Sequence, residues 1–115
     1  MADTFDENEL MDRVDNDVEF LAETVQMLEC DGRSAMQQIR DALVVGDTPS
    51  LARAAHALKG IVSNFCSRRT PASALELEQL GKRGDLSAAS VAVAILEDQL
   101  EALLGELAAF VKERT

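Results

Sequence analysis

Apolar or small residues at Val18, Leu21, Val25, Leu28, Gly32, Ala35, Ile39 and Ala42 advance by alternating steps of three and four. That spacing is a stripe along one side of a long α-helix. Val93, Leu96, Leu100, Leu103, Leu107 and Phe110 repeat it near the other end of the chain, and Leu51, Ala55, Leu58, Val62 and Phe65 repeat it in the middle. No two-residue alternation of the kind that marks a half-buried strand competes with these stripes. The punctuation between them is equally helical. Asp6 followed by Glu9 predicts a short helix near the start, and Asn16 followed by Glu19 predicts the cap of the first long one. Gly46-Asp47 should end that helix, after which Thr48 supplies an N-cap and Pro49 a preset first helical residue for a segment running to about Phe65. Thr70-Pro71 repeats the start signal for a helix through Leu75, Leu77 and Leu80, which the stretch from Gly81 to Gly84 should end. A last helix opens near Ser87. Connections this short force successive helices to be antiparallel neighbours. The expected architecture is all-α, an up-down antiparallel four-helix bundle with a short extra N-terminal helix, and residues 1–115 read as one domain without linker or low-complexity segment.

Composition narrows the function. A chain of 115 residues is short for two domains, and 47% hydrophobic residues suffice for a core that buries roughly two-thirds of the unfolded surface. That core must be aliphatic, because four Phe are the only aromatics; stacking platforms for nucleic-acid bases are therefore not expected. Eleven Lys and Arg against twenty-one Asp and Glu give a net charge of -10, which repels nucleic acid and anionic membrane alike. The longest aliphatic run, Val91 to Leu96, is far below the roughly 20 residues that span a bilayer, and the acidic N-terminus has no signal-peptide pattern. A cytoplasmic protein is expected. Cys30 and Cys66 make neither a disulfide framework nor a metal quartet and read as reduced, buried or half-buried thiols. The leucine-rich stripe of the last helix could support a dimer, but a stripe of that width more often faces the core, so a monomer is expected.

The charge is unevenly distributed. Residues 51–83 carry Arg53, Lys59, Arg68, Arg69, Lys82 and Arg83 against Glu76 and Glu78, a net +4, while the segments on either side are acidic. The only histidine, His56, lies inside this basic island. At about 100° per residue, it points roughly 140° away from the mean direction of the Leu51–Phe65 stripe, so its imidazole should face solvent. Its neighbours on that face are Ala52, Arg53, Lys59, Gly60 and Ser63, all small or basic. A glycine inside a helix costs roughly 1 kcal/mol relative to alanine. Gly60 beside His56 therefore suggests that something must come close to the backbone.

The run His56-Ala57-Leu58-Lys59-Gly60 resembles the H-x-L-K-G signature of the histidine-containing phosphotransfer (HPt) domain. The resemblance continues through Asn64 and Phe65, and through Leu77-Glu78 and Gly81-Lys82-Arg83-Gly84-Asp85. It implies that His56 accepts a phosphoryl group from a receiver aspartate and passes it to another, that Lys59 stabilises the charged group, and that Gly60 gives the partner room. Arg53, Gly60 and Ser63 are the candidate partner-binding residues on the same face. The implied partners are response-regulator receiver domains and a hybrid histidine kinase, with no cofactor held by the chain itself and Mg²⁺ supplied by the receiver. One departure stands out, since the family usually has glycine where this chain has Cys66 and small or polar residues where it has Ile61 and Val62.

The chemistry of the residues agrees with this. Phosphoryl transfer asks for an accessible nucleophile and charge stabilisation more than for elaborate machinery, and imidazole is a nucleophile whose phosphoramidate readily gives the group up again. Neither G-x-G-x-x-G nor G-x-x-x-x-G-K-[ST] occurs, so a carrier rather than a self-phosphorylating kinase is expected. A di-iron bundle would need Glu-x-x-His pairs, and position 53 is Arg. A Cys-His nucleophile would need Cys66 beside His56, about 15 Å away along a helix. The alternative that remains is a helical adaptor that binds without chemistry, including a phosphotransfer-like domain that has lost activity.

Overall fold

The computed structural model describes residues 5–115, which form five helices and, among the described residues, no strand: α1 Glu7–Arg13, α2 Val18–Val45, α3 Thr48–Ser63, α4 Arg69–Arg83 and α5 Leu86–Arg114. Every position of the α3 and α5 stripes is buried, as is every position of the α2 stripe except the half-buried Val18. The neighbours α2–α3, α3–α4, α4–α5 and α5–α2 close a ring around one aliphatic core. At about 1.5 Å per residue, the 28 residues of α2 and the 29 of α5 span the 43 Å length of the molecule.

Two turns are built alike. Gly46 (φ 74°) and Gly84 (φ 72°) end α2 and α4 in the left-handed conformation that glycine enters freely. The following Asp47 and Asp85 donate their backbone N–H back to Ala42 and Leu80, while their carboxylates accept from the N–H of Ser50 and Ala88. One Gly-Asp pair thus stops a helix and caps the next. This corrects the expected cap at Thr48, which with Pro49 occupies the first turn behind Asp47. Asn16 is likewise not a cap, because its φ of 58° places it in a left-handed turn; Asp17, in extended conformation, accepts from Phe20 N–H instead. Thr70 is buried inside the start of α4, whose cap position, Arg68, offers no side-chain acceptor.

Helix α1 is the short extra helix, capped as expected by Asp6 through Glu9 N–H. It is latched to one end of the bundle. Asp6 N–H donates to the carbonyl of Cys66, and the buried Phe5 ring meets Phe110 edge-on at 5.3 Å, with the Arg114 guanidinium 3.6 Å over the Phe110 ring. Cys66 has φ 58°, a conformation that costs a residue with a Cβ about 1–2 kcal/mol. That is the physical reason a glycine suits this position. The Cys66 thiol is buried, whereas Cys30 is exposed and not half-buried as expected.

Gly81 does not end α4. It lies inside the helix, where an added Cβ would sit 3.0 Å from both the backbone nitrogen and the Cβ of Ala52 on α3. The missing side chain lets the two antiparallel helices touch at their backbones, and that contact positions the residues one turn farther along each.

Candidate functional site

One turn beyond Ala52 on α3 stands His56, and one turn before Gly81 on α4 stands Glu78. The close approach of the helices brings them together: His56 Nδ1 lies 3.2 and 3.1 Å from Glu78 Oε1 and Oε2. The imidazole is 66% exposed, as its helical phase requires, but the carboxylate beneath it is only 8% exposed. Lys59 Nζ reaches Oε1 at 3.3 Å and Lys82 Nζ reaches Oε2 at 3.1 Å. Each oxygen therefore holds one lysine and a share of the imidazole.

Hydrogen bonds from Lys82 above all, then from His56 and Lys59, overcome the cost of burial and hold the Glu78 carboxyl down at about 2. An ionised carboxylate can only accept. The proton in the His56–Glu78 contact consequently sits on Nδ1, and in the neutral ring Nε2 is the atom that keeps the lone pair. Nε2 makes no hydrogen bond within the described residues. The arrangement presents an oriented nucleophilic nitrogen on an open helix face.

The residues expected at the site separate into two groups. Lys59 is brought into the His56 cluster, although through Glu78 rather than beside a free imidazole. Arg53, Gly60 and Ser63 share the exposed face but do other things. Arg53 turns back to donate to Ser50 Oγ, Ser63 Oγ donates to the Lys59 carbonyl at 2.6 Å, and nothing lies within 4 Å of where a Gly60 Cβ would be. Beyond Gly60, Ile61 and Asn64 line a groove of about 400 Å³ with the exposed Phe20 and Met27 of α2.

Glu78 and Lys82 are the site residues that sequence reasoning did not single out for a role. A signal was present: a carboxylate falls in the buried stripe Ala74-Leu77-Glu78-Gly81 of a helix that belongs to a basic island. No group of three or more His, Cys, Asp or Glu that could hold a metal occurs among the described residues, and no helix there is long and apolar enough to cross a membrane.

Comparison with known proteins adds the fold and the family. No curated protein matches the chain in sequence. Among solved structures, the crystal structure of histidine-containing phosphotransfer protein B from Pseudomonas aeruginosa is similar over 98% of this chain and 98% of its own, with a TM-score of 0.90 at 20% identity. The family model of the Hpt domain matches residues 23–109, a span that takes in α3 and α4 and with them His56, Lys59, Glu78 and Lys82. On that match the chain belongs to the Hpt domain family, the phosphocarriers of histidine phosphorelays.

Proposed function

We propose that His56 is the phosphoryl carrier of this chain, that Nε2 is the atom that takes the group, and that receiver-domain aspartates are its source and destination. The observation that carries this reading is the contact of Nδ1 with the ionised Glu78 carboxylate, because it fixes both the tautomer and the ring plane of an exposed imidazole. The Nε2 lone pair attacks the phosphorus of an aspartyl phosphate. A P–N bond forms, the acyl P–O bond breaks, and its electron pair leaves on the aspartate carboxylate. The ring retains the Nδ1 proton and becomes cationic, which the Glu78 carboxylate stabilises. Return transfer runs the same steps backwards from a protonated, and therefore good, leaving group.

Lys59 compensates the charge of the phosphoryl oxygens. Gly60 leaves space for the partner's backbone, and Arg53, Ser63 and the groove at Ile61 and Asn64 lie where a domain seated over His56 would extend. In this reading Mg²⁺ belongs to the receiver's site, the group enters the relay from a hybrid histidine kinase, and the chain acts as a monomer in the cytoplasm, taking phosphoryl groups from proteins and not from ATP.

Incubation with a phosphorylated receiver domain tests this. The chain should acquire an acid-labile, alkali-stable label, and the His56→Gln variant should acquire none while keeping its helical circular dichroism, since glutamine suits an exposed helix position. Persistent labelling of that variant would overturn the assignment. Binding without any label would mark the chain as an adaptor.

A further inference from the structure

A phosphoryl group on His56 sets up a competition that the unphosphorylated site does not face. Lys59 is engaged with Glu78, yet the phosphoryl group, carrying a charge of about -1.5 to -2, needs a cation one turn from Nε2. If Lys59 simply left, the nearly buried carboxylate would lose a partner just when a second anion arrives above it, and an uncompensated buried charge is costly. Glu78 meets this difficulty with a second lysine on its other oxygen. Lys59 is bound to Oε1 from α3, across the helix interface, whereas Lys82 is bound to Oε2 from four residues along α4 itself. Each lysine thus has its own oxygen on the carboxylate.

We propose that Lys82 is a positioning residue, the standing counter-ion of Glu78 that frees Lys59 to move to the phosphoryl group on His56. Three features of the structure support it. The two lysines occupy different carboxylate oxygens. The Lys59 contact, at 3.3 Å, is longer than the Lys82 contact at 3.1 Å, and both exceed the roughly 2.7–2.9 Å of a tight charge-assisted bond, so Lys59 can leave Oε1 while Lys82 stays on Oε2. Finally, Lys59 shares a helix and a face with His56, while Lys82 shares a helix with Glu78. The inference rests on the carrier reading of His56, and it makes a demand specific to a carboxylate at position 78: with a neutral side chain there, no standing counter-ion is required.

A double-mutant cycle on the lifetime of phospho-His56 provides the test. The full chain, Lys82→Ala, Glu78→Gln and the double variant are loaded chemically with phosphoramidate, which transfers its phosphoryl group to imidazole with loss of ammonia and needs no partner protein. The loss of label is then followed. Lys82→Ala should shorten the half-life about fivefold when Glu78 is present and less than twofold in the Glu78→Gln background. Lys82→Arg should restore it, which a purely structural effect of losing the lysine stem would not require. Equal shortening in both backgrounds would show Lys82 acting on the phosphoryl group directly and overturn the proposal; so would an unchanged half-life in Lys82→Ala. The carrier reading stands or falls separately, on whether a phosphorylated receiver labels the unaltered chain.

Discussion

A carboxylate that is only 8% exposed must be compensated to remain ionised, and Glu78 is compensated by three nitrogens from two helices. The consequence for stability has a definite sign. Its folded value of about 2 lies below the ordinary 4.5, so between those values the unfolded chain binds more protons than the folded one. The contribution of Glu78 is therefore complete above about pH 4.5, falls as pH falls, and is gone near pH 2. Urea unfolding followed from pH 6 to pH 2 should show a smaller acid loss for Glu78→Gln than for the unaltered chain; identical pH profiles would contradict the role given to this group. His56 and Lys59 were legible from one helix alone, because phase and spacing on α3 are local properties. The partner of His56 was not, because the register between α3 and α4 depends on a backbone contact at Gly81 that no local pattern encodes.

Among the helices, three of the four interior glycines separate propensity from packing. Gly60 and Gly105 have open space where a Cβ would point, while Gly81 has the backbone of Ala52 at 3.0 Å. Alanine gains about 1 kcal/mol over glycine in a helix interior, so Gly60→Ala and Gly105→Ala should each stabilise the chain by about that amount. At Gly81 the same gain is opposed by an overpacking cost of about 1–3 kcal/mol against backbone that cannot rotate away. Gly81→Ala should be net destabilising and should slow transfer by moving Glu78 off His56. Denaturant midpoints for the three variants, with transfer rates alongside, check this; a stabilised Gly81→Ala would contradict the close-contact account. The stripes and the two left-handed glycines were readable because period and φ preference are intrinsic to the residues. The exact caps were not, since Asp47 and Thr48, or Asn16 and Asp17, are neighbours of equal chemical aptitude and only backbone conformation selects between them.

Over the whole molecule, a net charge of -10 coexists with a net +4 in residues 51–83, the segment that carries His56. A receiver with an acidic pocket is accordingly attracted to this face and repelled by the rest, an effect that acts mostly on association rate and is screened over about 8 Å at physiological ionic strength. Arg53 is exposed and bonded to Ser50 rather than to the His56 cluster, so Arg53→Glu reports on steering without touching the chemistry. Stopped-flow binding should show slower association and a flatter salt dependence for that variant, with dissociation little changed; association indifferent to both salt and the reversal would reduce the basic island to a solvated face. The central claim, that Glu78 holds Nδ1–H so that Nε2 carries the phosphoryl group, is tested most directly by long-range ¹H–¹⁵N NMR of the single histidine before and after transfer from a receiver. The account predicts a proton on Nδ1 in the free chain and phosphorus coupled to Nε2 after transfer, and a free chain protonated on Nε2, or a phosphoryl group on Nδ1, would contradict it.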